Sequence, residues 1–134
     1  MYIYGKYPYK FEIGMPRIPG RVWRADRLAK DYLSKSDCRV AMYAEVARGG
    51  KVIARGYNRK NFQSSTHAEE DALRQLVRQK RGAEGATITV IRYLADDSFG
   101  ASRPCPMCME QLIAAGIKRI NYFDYDGNFH TERL

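Results

Sequence analysis

One pair of short motifs constrains this chain more than any other feature. His67-Ala68-Glu69 opens one helix-like stretch, and Pro104-Cys105-Pro106-Met107-Cys108 opens the next, with a single strand-like run between them. Zinc binds histidine nitrogen and cysteine thiolate, and a catalytic site keeps one coordination position open. His67, Cys105 and Cys108 supply three such donors and leave the fourth position for water, which can then lose a proton near neutral pH. Both donor groups fall at expected helix N-termini, where the helix dipole favours anions and so supports two thiolates. Glu69 stands two residues beyond His67, so on a helix the two do not point the same way. It is poorly placed as a fourth ligand and well placed to carry a proton from the water to a substrate ring.

Taken singly, each motif has a plainer reading. Thr66-His67-Ala68-Glu69 fits a capping box, with Thr66 as N-cap and Glu69 at the third helical position. Cys105 and Cys108 could be a redox pair, and His67 an ordinary polar loop residue. The joint pattern, on two successive helix starts, favours the metal. The third cysteine, Cys38, precedes a strand and reads as a buried thiol. An odd cysteine count without a secretion signal argues against a disulfide framework. His130 reads as structural or exposed, and Glu70 and Asp71 as complements to the helix N-terminus.

The remaining pattern builds a sheet around these motifs. Pro8, Pro16 and Pro19 argue against a long helix in the Tyr/Lys-rich residues 1–23. Leu28, Ala29, Tyr32 and Leu33 form a helical stripe over 24–33. Val40, Met42, Ala44 and Val46 alternate along a strand over 39–47, Gly49-Gly50 offers a tight turn, and 51–55 returns as the second arm of a hairpin. Residues 58–65 are polar and read as a loop. Ala68, Ala72, Leu73, Leu76 and Val77 give a helix over 66–81, ended by Gly82 and Gly85. Residues 87–94 are β-branched and apolar, a central strand. Residues 95–104 read as a loop, Pro106 starts a helix that runs to Ala115, and Gly116 closes it. A strand over 118–125 and the Asp126-Gly127 turn then lead into residues 129–134, which pair back. Only nine residues follow Tyr125, too few for the crossover a parallel strand needs, so the last pair is expected to be antiparallel.

The chain has 134 residues, enough for one domain, and its 45% apolar and 12% aromatic content are those of a folded globule. No apolar run approaches a membrane span and the N-terminus lacks a signal-peptide core, which places the expectation in a cytoplasmic setting without membrane partners. A net charge of +8 attracts phosphates or simply keeps the chain soluble.

From about Arg24 to Leu134 the chain resembles the cytidine deaminase superfamily. The matching stretches are Gly56-Tyr57-Asn58, His67-Ala68-Glu69-Glu70-Asp71-Ala72-Leu73 and Pro104-Cys105-Pro106-Met107-Cys108, and the H-x-E…P-C-x-x-C pattern is the signature of the zinc deaminases. The resemblance implies an α/β domain of three α/β/α layers, with a mixed five-stranded sheet and an antiparallel C-terminal strand pair. It implies Zn2+ held by His67, Cys105 and Cys108, with acid/base work by Glu69 that ends in protonating the departing ammonia. Asn58 matches an asparagine that contacts the sugar; otherwise it is a turn residue. The antiparallel last strand is similar to nucleoside cytidine deaminases and bacterial toxin deaminases, and less like the tRNA adenosine, deoxycytidylate and AID/APOBEC branches. Self-association is also implied, since compact nucleoside deaminases are commonly dimers or tetramers.

Two positions depart from the nucleoside enzymes. Those usually carry cysteine where this chain has His67, and glutamate two residues after the asparagine, where this chain has Lys60 beside Arg59. A cation there suits a phosphate better than a free hydroxyl, unless the pair is a solvated loop. Asn58, Lys60 and Arg103 are therefore assigned to substrate binding. The expected reaction converts cytosine to uracil in cytidine, deoxycytidine or their nucleotides. The alternative substrate is cytosine in single-stranded DNA or RNA, whose base must leave the stack to enter a pocket. Tyr2, Tyr4, Lys6, Tyr7, Tyr9, Lys10 and Phe11, extended by Arg17, Arg21, Trp23 and Arg24, interleave rings with cations as a strand-binding surface would. The same rings would equally pack on the sheet or on another subunit. A non-catalytic zinc module is a third reading, against which Glu69 stands, because a structural site needs no acid/base group beside an open position.

Overall fold

The computed structural model of the chain describes residues 41–60, 65–94 and 99–134. The helix expected over 24–33, Cys38 and the Tyr/Lys-rich residues 1–23 lie outside the described residues. The described elements are β1 (Ala41–Arg48), β2 (Lys51–Tyr57), β3 (Arg59–Lys60), β4 (Ser65–Thr66), α1 (Ala68–Arg78), β5 (Thr87–Tyr93), β6 (Phe99–Gly100), α2 (Pro106–Ala114), β7 (Arg119–Phe123) and β8 (Phe129–Arg133).

Gly49 and Gly50, at φ +60° and +77°, make the two-residue turn between β1 and β2. Two successive positive φ angles give a turn whose twist matches that of the flanking strands. β5 pairs antiparallel with β1 along its own whole length, from Ala41↔Tyr93 to Ala47↔Thr87. β7 runs parallel to β5 over Thr87, Ile88 and Thr89, and β8 returns antiparallel to β7. The sheet order is β2-β1-β5-β7-β8, with β6 beside β5. The mixed sheet and its antiparallel last pair are as expected. β6 adds a sixth strand within the expected 95–104 loop; at two residues it has no alternation to betray it.

Strand side chains alternate between faces, and here the two faces differ. Ala44, Val46, Ile88, Val90 and Ile120 share one apolar core with Ala68, Ala72 and Leu76 of α1 and Leu112 of α2. Both described helices thus lie over one face of the sheet. Burial of each larger side chain in that core contributes about 1.5–3 kcal/mol. The opposite face carries Tyr43 and Ile91 with a buried polar row, Glu45, Thr89 and Asn121. Asn121 Nδ2 donates to Thr89 Oγ1 at 3.0 Å and Thr131 Oγ1 donates to Asn121 Oδ1 at 2.8 Å, so the row is bonded internally rather than left unsatisfied.

The helix that starts with the His67 motif is fastened to an edge strand. Tyr57 N–H donates to Asp71 Oδ2 at 3.2 Å and Arg55 N–H donates to Gln75 Oε1 at 3.1 Å. Side chains one helical turn apart therefore cover the outward N–H groups of β2, which would otherwise stand as an open edge. Asp71, in the first turn of α1 where it was expected to complement the helix dipole, is buried and holds this bond as well. Gly56 sits between the two anchors. A Cβ there would lie 2.4 Å from both Ala68 O and Ala72 N.

α1 stops sooner than its pattern suggests. It was expected to reach Arg81 and end on Gly82, but it ends at Arg78. Lys80 takes the left-handed conformation at φ +56°. Lys80 N–H then reaches Val77 O at 3.0 Å and Arg81 N–H reaches Leu76 O at 2.9 Å, the Schellman arrangement usually built on glycine. α2 closes on Gly116 as expected, with Ile117 N–H on Leu112 O at 3.1 Å. No described helix is long and apolar enough to cross a membrane.

Replacing Gly56 with alanine should force α1 away from β2, because the colliding atoms are backbone and cannot rotate aside. Overpacking of this kind destabilises by about 1–3 kcal/mol, so urea denaturation of Gly56→Ala should give a lower midpoint at an unchanged slope.

Candidate metal centre and active site

β3 and β4 form a small ribbon, Arg59↔Thr66 and Lys60↔Ser65, where a loop was expected. The ribbon delivers the chain to His67 at the mouth of α1. Here the capping register differs from the expected one by a residue. His67, in extended backbone conformation, is the N-cap, and Glu70 rather than Glu69 takes the third helical position. The Glu70 carboxylate faces His67 N–H at 3.5 Å and Arg74 at 3.7 Å. Glu69 is thereby released from capping. It lies one position earlier, 4% exposed.

α2 repeats the arrangement. Cys105 is its N-cap and Pro106 its first residue, where a missing N–H has no consequence. Cys108 follows at the third helical position, one turn on, so both sulfurs share a side of the helix. The two helix starts meet. His67 Nδ1 is 3.2 Å from Cys108 Sγ and 3.9 Å from Cys105 Sγ, and all three donor atoms lie within 4.8 Å of one another. Zinc bonds of 2.0–2.3 Å in tetrahedral array put neighbouring donors about 3.3–3.8 Å apart. One imidazole and two thiols at these separations therefore fit Zn2+ in type and in spacing.

Burial controls the electrostatics of the site. It pushes the Glu69 carboxyl above its ordinary range, while a backbone hydrogen bond, His67 and Cys108 partly oppose the shift. Burial also pushes the Cys108 thiol far upward, with the Glu69 charge and hydrogen bonding to Cys105 adding to the effect. A cation bound between the sulfurs reverses this logic, because metal coordination selects the thiolate.

The structure separates the remaining candidates. Asn58 follows β2 directly, and its Oδ1 accepts from Met42 N–H at 2.8 Å while its own N–H donates to Met42 O at 3.3 Å. This locks the end of the β1–β2 hairpin beside the start of α1. Lys60 is on β3, one residue from the ribbon pair that holds Thr66. Arg103 binds Glu132 of β8 through two bonds, Nε–Oε2 at 3.1 Å and NH2–Oε1 at 2.9 Å. Its guanidinium lies 6.0 Å from the centre of the Tyr122 ring, whose hydroxyl donates to the same carboxylate at 3.0 Å. Arg103 and Tyr122 hold Glu132 below its ordinary range. His130 is exposed, as one of its two readings had it, and it stacks on Tyr122 with Nε2 2.6 Å from Asp124. Ser102, which drew no attention in the sequence, is buried and hydrogen-bonded to two strands. Its position three residues before Cys105 was the one available signal.

An α/β sheet that brings two helix starts together around an imidazole and two thiols, with a buried carboxyl beside them, defines a zinc-site scaffold. Residues 24–124 match the model of the cytidine and deoxycytidylate deaminase zinc-binding region. The chain therefore belongs to the cytidine and deoxycytidylate deaminase family, whose chemistry is hydrolytic deamination of cytosine. No curated sequence shows significant similarity to it. Similar folds occur in cytidine deaminase from Burkholderia pseudomallei, 19% identical over 87% of this chain and 93% of that one with a TM-score of 0.65. They occur also in dCMP deaminase from the cyanophage S-TIM5, 21% identical over 81% and 86% with a TM-score of 0.60. Cytidine deaminase from Mycobacterium leprae is a third, 17% identical over 81% and 90% with a TM-score of 0.58.

Zinc uptake should release protons, since the raised Cys108 thiol remains protonated through the neutral range until a cation displaces its proton. Affinity should therefore fall as pH falls, about tenfold per pH unit for each proton displaced. Chelator competition at a series of pH values measures this, and Cys108→Ser should abolish stoichiometric binding.

Proposed function

We propose that the protein converts cytosine to uracil in cytidine, deoxycytidine or their nucleotides, with His67, Cys105 and Cys108 as zinc ligands and Glu69 as the proton carrier. The observation that carries this reading is the Glu69 carboxyl, held out of water beside a three-donor zinc site and not used in capping its own helix. When bound, zinc supplies an acidified water as nucleophile. Glu69 takes a proton from the attacking water and passes it to the ring nitrogen as oxygen adds at C4. It then takes the proton of the new C4 hydroxyl and delivers it to the exocyclic amine, so that C4=O forms, the C4–N bond breaks and ammonia leaves. A carboxyl with a raised pKa is suited to both halves of this exchange, since it releases a proton more readily than water and accepts one more readily than an ordinary carboxylate.

Asn58 and Lys60 are proposed as the contacts beyond the base. Both follow the hairpin that ends beside α1, on the segment leading to His67. Asn58 suits a sugar hydroxyl. Lys60 stands where nucleoside enzymes carry a carboxylate, and it favours a phosphorylated substrate. One of the similar structures, the S-TIM5 dCMP deaminase, is described in complex with dCMP and dUMP, which is consistent with nucleotide use on this fold. The net charge of +8 and the interleaved rings and cations of the N-terminal stretch favour cytosine in a single strand as the second reading.

A panel of cytidine, dCMP and a cytosine-containing single strand, assayed for uracil, tests the proposal. Turnover of the monomers is expected, with dCMP preferred over cytidine; conversion of the strand alone would replace it with the second reading. Glu69→Gln should retain zinc and lose about a hundred- to ten-thousand-fold in kcat. Substantial activity in that variant would reject the role given to Glu69.

A further inference from the structure

The strand between the two metal-binding helices changes partner midway. One side of β5 is paired with β1 along its whole length. On the other side, Thr87–Thr89 pair with β7, whereas Arg92 and Tyr93 pair with β6. Between these two ladders lies a gap at Val90 and Ile91, and Ser102 bonds across it at Val90. Ser102 Oγ donates to Val90 O at 2.8 Å and accepts from Phe123 N–H at 2.9 Å, while Ser102 N–H donates to Phe123 O at 2.9 Å. One buried hydroxyl thus completes the hydrogen bonding of two strands where they part.

The next residues lead straight to the metal. Arg103 is fastened to Glu132 by the two bonds described above, Pro104 is buried, and Cys105 follows as the N-cap of α2. Pro104 and Pro106 restrict φ on either side of Cys105. With Ser102 fixed to the inner strands, little freedom remains in where Cys105 and Cys108 stand. We propose that Ser102 is a positioning residue for the metal centre, its hydroxyl setting the place of both thiolates, with the Arg103–Glu132 pair as the outer fastening of the same loop. The proposal rests on the reading of His67, Cys105 and Cys108 as zinc ligands, and not on any substrate. Groups that orient metal ligands from behind alter affinity by about 10–100-fold when removed.

The test uses the full chain loaded with zinc or cobalt, well below its melting temperature. Zinc affinity is read by chelator competition and ligand geometry by the visible spectrum of the Co2+ form. Ser102→Ala should bind zinc about tenfold or more weakly and change the cobalt spectrum. Ser102→Thr, which keeps the hydroxyl, should recover most of the loss. Thr89→Val removes a hydrogen bond between the same strands on the opposite face, so it should lower the melting temperature and leave zinc affinity within about twofold. Arg103→Gln and Glu132→Gln should each weaken zinc to a smaller and similar degree. Wild-type affinity and spectrum in Ser102→Ala despite a lowered melting temperature would overturn the proposal, as would an equal loss in Thr89→Val. Should Ser102→Ala fail to fold, the two surface variants decide: unchanged zinc binding in both would overturn it, above all if Arg103→Gln raised only the KM for substrate. Uptake of zinc by wild type with no turnover on the substrate panel would sink the deamination reading and leave this one standing.

Discussion

The structure turns on the meeting of two helix N-termini at one end of a sheet. An isolated imidazole or thiol pair holds zinc weakly, but three donors already spaced within 4.8 Å need little ordering when the ion arrives. The strands set that spacing. β5 joins the two helices in sequence and lies at the centre of the sheet in space, so each helix mouth is placed relative to the same backbone. Both mouths also turn the positive end of a helix dipole toward the three donors, which favours thiolate.

The two sides of the site are secured differently. On the α1 side, Asp71 and Gln75 accept from the outer N–H groups of β2, and the absence of a side chain at Gly56 lets helix and strand touch. On the α2 side, Ser102 and Arg103 tie the approach to the cysteines to β5, β7 and β8. Polar side chains that look like surface choices in the sequence are therefore structural parts of the centre. Asp71 is one of them, and Ser102 another.

The one-residue displacement of the helix cap matters for the chemistry. With Thr66 as N-cap, Glu69 would have been the reciprocal partner of the capping box, tied to the backbone. With His67 as N-cap, Glu70 takes that part, and Glu69 is left buried beside Cys108 with its carboxyl raised by desolvation. Local propensity accommodates both registers. The choice is made by the requirement that His67 Nδ1 face the sulfurs of another helix, which is a tertiary condition.

The sequence by itself determined the hairpin at Gly49-Gly50, the apolar stripe of α1 except for Val77, which the structure leaves exposed, the Pro106 start and Gly116 end of α2, the central β5 and the antiparallel end of the sheet, because periodicity and turn chemistry act over a few residues. It also determined the donor set, because His67, Cys105 and Cys108 are the donor types zinc takes and they stand at two successive helix starts. What it left undecided depended on partners far along the chain. The two-residue β6 and the β3–β4 ribbon exist only as pairings, so their segments read as loops. The end of α1 at Arg78, well short of Gly82, follows from a cap in which Lys80, a non-glycine residue, takes the left-handed conformation. Arg103, assigned to substrate binding on the sequence, pairs in the fold with Glu132, 29 residues on. Ser102 carried only its place three residues before Cys105, because a hydroxyl's role is set by which backbone groups surround it, and only folding brings Val90 and Phe123 to its side.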